Sequence, residues 1–257
     1  MDTAVGNRDI DAVQQGLRSE ANAIYDGCFT HPAVEALRTF NRHCSSRAMT
    51  LDELRLFFAS MAAFNRHAIG GIAILAGRVS DEVLALAPRT GHEIGALILD
   101  AAVDEYGLRE TVNHVELARR FAEHLGLSAD EVEARDNACA SAIQLGDALF
   151  DWYRSQPTGF SLGVHTASEV TSVKEFMSWH DVFLNFPQYR LSRDQPEFEY
   201  MRAHYVHEPD HILNASVCVG RYLDVLPAQG QMLREGAQTY LDCYRRMFEE
   251  LDTLIFK

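Results

Sequence analysis

The stretch Glu199-Tyr-Met-Arg-Ala-His204-Tyr-Val-His207-Glu208-Pro-Asp-His211 is the most informative part of the chain. Its register is helical. His204, Glu208 and His211 are spaced i, i+4, i+7 and stack on one face about two turns long. Two imidazoles with a carboxylate between them suit iron, manganese or zinc. Taken alone, the triplet also reads as a solvated polar face. His207 falls off this face by roughly 60–100° at helical pitch and reads as an outer or surface group. Pro209 removes a backbone hydrogen bond inside the segment, which should kink or loosen the helix there.

The same helical period runs through the rest of the chain, and strand-like alternation is scarce. A first helix reads from Asp9 to Tyr25 and a second from His31 to His43. Thr50-Leu-Asp-Glu53 is a capping box that opens a long apolar helix to about Val79. A helix from Gly91 or His92 to Tyr106 stops at Gly107, and an amphipathic one from Val112 to Leu125 stops at Gly126. Ser128-Ala-Asp-Glu131 is a second capping box, leading into a helix that continues through Trp152. Further helices read from Gly159 to Phe186, Glu197 to Val225 and Gly230 to Phe256. Pro157, Pro187, Pro196 and Pro227 fall between these segments, where proline belongs. Short connections imply antiparallel neighbours in a bundle. No repeat, low-complexity tract or composition shift marks a linker. The expectation is an all-α fold, residues 1–257 forming a single domain of seven or more helices.

Composition narrows the function classes. A net charge of −14 argues against nucleic-acid binding, which needs a basic surface. No apolar run reaches the ~20 residues that span a bilayer. The start, MDTAVGNRDIDAVQQ, has neither the basic flank nor the apolar stretch of a secretory signal. The five cysteines (Cys28, Cys44, Cys139, Cys218 and Cys243) are scattered and form no CxxC, which favours a reducing cytoplasm over a disulfide framework or thiolate zinc site.

Other segments offer partners for the triplet. Glu105 closes one apolar helix and His114 opens the next, on either side of a tight connection. Glu169 lies in the small-residue helix Val164 to Val173, where a lone carboxylate needs a partner. His165, at i−4 from Glu169, is an alternative ligand or a donor to it. A bundle projecting Glu and His inward from several helices is the general recipe for a di-metal carboxylate site. A ferritin-like helix pair would show two Glu-x-x-His motifs, and this chain has one, Glu208-Pro-Asp-His211, without the second. Glu93 is a candidate further carboxylate, and His67 reads first as a satisfied core histidine. The aromatics Tyr106, Phe176, Trp179, Tyr200 and Tyr205 read mostly as packing.

These residues carry a family resemblance. Asp-Glu-Tyr-Gly at 104–107, Asn-His-Val-Glu-Leu-Ala-Arg-Arg-Phe at 113–121, a mid-chain Glu and a final His-x3-carboxylate-x2-His resemble the haem-oxygenase-like di-iron oxygenases. The resemblance covers roughly residues 50 to 225. It implies a haem-oxygenase-like helical bundle that binds two Fe(II) ions in place of haem, manganese being the alternative occupant. It implies O2 as co-substrate, an external electron donor and a small-molecule substrate, with a homodimer left open. By position, the implied metal ligands are Glu105, His114, Glu169, His204, Glu208 and His211. The implied reaction is N-oxygenation of a small amine or amino-acid-derived substrate, often in natural-product biosynthesis. The alternatives are oxidative C–C cleavage or desaturation of an amino or fatty acid, or a metal-free thiaminase- or quinone-synthesis-like enzyme using His204 and His211 as acid–base groups.

The chain departs from the family pattern in three places. Glu208 stands where the family usually has Asp, Pro209 follows it, and residues 54–80 hold no carboxylate to supply the extra glutamate some relatives use.

Overall fold

The computed structural model of the chain describes residues 19–108 and 112–257, without the side chains of Ser19, Glu20, Ala21, Met177, His207 and Glu208. The described residues form helices and connections, with no strand among them. In chain order the helices are α1 (Ser19–Thr30), α2 (Pro32–Ser46), α3 (Leu51–Asn65), α4 (Ala68–Leu84) and α5 (Pro88–Glu105). Next come α6 (His114–His124), the short α7 (Ala129–Glu133) and α8 (Ala140–Ser155). Three 27-residue helices complete the chain: α9 (Thr158–Leu184), α10 (Glu199–Val225) and α11 (Gly230–Phe256). The all-α bundle expected from the periodicity is what forms. Of the expected first helix, residues 9–18 lie outside the described residues, and α1 runs on to Thr30.

Local chemistry sets the starts. Both capping boxes form: Thr50 accepts the Glu53 amide, Ser128 the Glu131 amide, and each Glu side chain accepts the cap residue's own amide. Pro88 opens α5 a full turn before the expected Gly91, because a first-turn proline loses no intrahelical bond. Asn113 accepts the Glu116 amide at 2.8 Å, so α6 starts at His114 rather than Val112.

Two long helices expected from the sequence are each broken. The run from Thr50 toward Val79 divides at Arg66–His67, where His67 leaves helical geometry (φ −118°, ψ 6°). Periodicity does not register the break because both halves are apolar. It redirects α4 so that Gly71 lies against the Tyr153 ring, where a Cβ would be 2.5 Å from a ring carbon. The second break ends α7 after five residues. Asn137 donates to the Glu131 carbonyl at 2.8 Å, Ala134 turns extended, and α8 restarts at Ala140. That side-chain bond competes with helix continuation.

Helix α9 is the central element and packs against α10 and α11. It crosses α11 at backbone contact: a Cβ on Gly163 would lie 2.0 Å from the Leu233 carbonyl oxygen, and one on Gly236 2.0 Å from that of Phe160. The buried apolar side chains form one continuous cluster, with Phe40, Phe57, Phe121, Trp179, Phe183 and Phe248 as its aromatic spine. Helix α10 is not interrupted by Pro209, which stands inside it. No helix among the described residues is long and apolar enough to cross a membrane.

Candidate metal centre

The centre is built from the end of α5, the start of α6, the middle of α9 and the first half of α10. Gly107 makes the first corner. The Leu108 amide donates to the Val103 carbonyl and the Gly107 amide to the Asp104 carbonyl, a Schellman closure of α5 with Gly107 at φ +70°. A Cβ there would lie 2.4 Å from the Val112 backbone, so only glycine lets the chain double back this tightly. The reversal returns His114 to Glu105, with Nδ1 3.2 Å from Oε2.

His204 enters from α10, its Nε2 3.7 Å from Glu105 Oε1. Its Nδ1 lies 2.8 Å from the Tyr200 carbonyl, which can only accept. The proton therefore sits on Nδ1, and Nε2 turns its lone pair toward Glu105. Phe176 stacks on the His204 ring at 3.7 Å and Tyr200 meets it edge-on at 4.6 Å. Those two aromatics thus do more than fill space: they fix a candidate ligand. Glu105, His114 and His204 each offer an atom within 4.8 Å of the others.

A second set begins one residue earlier. Asp104 is wholly buried, and its Oδ2 is 3.1 Å from His211 Nε2. His211 Nδ1 is 3.6 Å from Glu169 Oε2, and Glu169 Oε1 is 3.3 Å from His165 Nδ1. Asp104 was not among the residues singled out from the sequence. An Asp-Glu pair at a helix end reads as a solvated terminus, and it is the packing of α10, with His211 against Asp104, that covers it. Its one sequence signal is its place three residues after Ala101, on the buried face of α5.

The remaining candidates fall as follows. Glu208 lies on α10 between His204 and His211, but its side chain is outside the described residues, as is that of His207. Glu93 pairs with Arg89 and Arg221 and takes no part. His67 precedes α4 with its ring against Phe150 at 5.1 Å. His124 bonds the Tyr189 carbonyl at 3.0 Å, a structural role. Trp179 donates to Asn41 and Tyr106 and Tyr205 are exposed.

Electrostatics suit a cation. Burial would raise the Glu105 carboxyl, but His114 and His204 outweigh it and hold the group below the usual carboxylate range. Burial raises Glu169, with Glu105 and Asp104 adding to the rise and His211 opposing it. Burial depresses His165, assisted by His211, and depresses His204 against the pull of Glu105. Neutral imidazoles and crowded carboxylates in a dry interior are the donor set that borderline divalent iron takes. The residues present fit the metal.

A cavity of about 410 Å³ adjoins both sets. Phe57, Met61, Ile72 and Trp179 supply apolar wall, and Glu105, Glu169, His204 and His211 border it. Glu175, farther along α9, lines the same cavity. Burial pushes its carboxyl up to about 8, and a hydrogen bond donated by Tyr244 offsets part of that. A folded-state value above the ordinary 4.5 penalises the folded state as pH rises: there is no effect below 4.5 and the full cost above 8. Glu175→Gln should therefore raise folding stability at pH above 8 by on the order of a few kcal/mol and leave it unchanged in acid. Thermal melts of both proteins across that range check this, and an unchanged difference at all pH values would contradict it.

An all-α bundle that buries carboxylates and imidazoles beside a cavity is suited to hold a redox metal. A family model described as iron-containing redox enzyme matches residues 69–245. The chain belongs to that family, and the haem-oxygenase-like fold follows from it. No curated protein matches the chain. The metal-free alternative does not fit this membership.

Proposed function

We propose that the chain is a non-haem di-iron oxygenase that activates O2 to N-oxygenate a small amine or amino-acid-derived substrate. The observation that carries this reading is the cluster of Glu105, His114 and His204, beside which a second chain of donors begins at the neighbouring residue: Asp104 faces His211 Nε2, and Glu169 faces the other ring nitrogen. Glu208, one turn from each histidine of α10, is the further proposed ligand. Ferrous iron bound there would supply the open positions and reducing power for O2 chemistry, with an external electron donor restoring the reduced state.

The chain's own residues do the rest. The Tyr200 carbonyl and the Phe176 ring hold His204 in one orientation and tautomer. His165 is placed to hold Glu169 through its Nδ1. The apolar wall keeps water away from the cavity and sets a small substrate beside Glu105 and Glu169. The apolar residues of α3 and α4 on that wall favour, as a second reading, oxidative cleavage or desaturation of an amino or fatty acid.

The test is product mass. Iron-reconstituted protein, O2 and a chemical reductant are incubated with a panel of amines, amino acids and fatty acids. The reading expects an amine product heavier by one or more oxygen atoms. Carbon loss or desaturation with the amines untouched would select the second reading, and no turnover in any arm would contradict both.

A further inference from the structure

The donor sets leave one cavity carboxyl unused. Glu175 is 3% exposed and lines the cavity, yet its one hydrogen bond among the described residues comes from the Tyr244 hydroxyl to Oε1. No arginine, lysine or histidine among the described residues forms an ion pair with it. Oε2 accepts no hydrogen bond among the described residues. Carboxylates are rarely buried without a cation or full hydrogen bonding. Tyr240 also lines the cavity, Tyr244 lies tilted beside it at 5.7 Å, and Phe176 and Trp179 line the wall. Aromatic faces next to a carboxylate favour a cation over an anion or a neutral group.

We propose that Glu175 anchors a cationic nitrogen of the substrate, taking a primary alkylammonium group. The inference rests on the reading of this cavity as the substrate site. Glu175 is six residues beyond Glu169 on α9, about 9 Å along the helix axis. The ammonium is thus held away from the metal ligands, and the group to be oxidised, a second nitrogen in the N-oxygenation reading, lies toward the other end of the molecule. The substrate class is a short apolar chain with a cationic nitrogen at one end and its reacting group several bonds away.

The experiment is calorimetric titration of iron-loaded protein at a pH above 8, where Glu175 is ionised, kept anaerobic so that nothing turns over. The probes are butylammonium to octylammonium ions, α,ω-diammonium ions of the same lengths, and the isosteric alcohols and carboxylates. Wild type should bind the ammonium ions in preference to the alcohols and carboxylates. Glu175→Gln should weaken ammonium binding by about tenfold or more while leaving alcohols unchanged. Glu175→Asp, which keeps the charge, should recover part of the loss. Iron content measured on the same samples should be equal in all three. Equal ammonium affinity in wild type and Glu175→Gln, or a wild-type preference for alcohols or carboxylates, would overturn the proposal. So would loss of iron from Glu175→Gln, because the residue would then belong to the metal shell. Failure of wild type to load iron counts against the parent reading instead, and the ammonium-over-alcohol preference is read in either case. If a variant does not fold, that wild-type preference decides alone.

Discussion

His204→Ala is expected to weaken ferrous iron binding by about a hundredfold or more, since even groups that only orient a ligand are worth 10–100-fold. The substitution removes a nitrogen whose lone pair is aimed at Glu105 and the ring that Phe176 covers. His211→Ala should instead lower the iron stoichiometry, because His211 faces both Asp104 and Glu169. His124→Ala, whose ring bonds the Tyr189 carbonyl, should bind iron as wild type does. Anaerobic competition against a ferrous chelator measures all three. Unaltered affinity in His204→Ala would remove that residue from the centre.

Gly107→Val is the substitution with the largest expected effect on stability. A left-handed residue costs roughly 1–2 kcal/mol without glycine, and more when β-branched. The added Cβ also meets Val112 backbone at 2.4 Å, which cannot move aside as a flexible side chain would. Because the same turn brings Glu105 to His114, iron binding should fall along with stability. Gly126→Ala is the control. It too has positive φ, +95°, but a Cβ there meets only Leu51 at 3.6 Å, so it should cost about 1 kcal/mol and keep iron. Denaturant unfolding with iron analysis separates the two, and a Gly107→Val protein as stable as Gly126→Ala would show that the corner is not the constraint described.

The legible parts of this protein are those where one residue type has one physical use. Glycine after an apolar helix announced the turns at Gly107 and Gly126, and Thr50 and Ser128 announced their helix starts. His204 and His211 could be placed on one face because their spacing needs no tertiary information. The helix breaks at His67 and Ala134 were not legible. The first lies within a run that is apolar on both sides. The second depends on the Asn137 side chain reaching back to Glu131. Asp104 and Glu175 were missed for a related reason. A charged residue reads as solvated until another element covers it: for Asp104 that cover is α10, through His211, and for Glu175 it is Tyr244 of α11. Glu169 escaped this ambiguity because its neighbours in α9 are uniformly small.

Anaerobic Fe(II) titration of the metal-free wild-type protein tests most directly whether two irons sit side by side across Asp104 and Glu105, as proposed. A di-iron centre saturates near two equivalents per chain, falling to one in Asp104→Ala. Saturation of the wild-type protein at a single equivalent, or an unchanged two in Asp104→Ala, would contradict it.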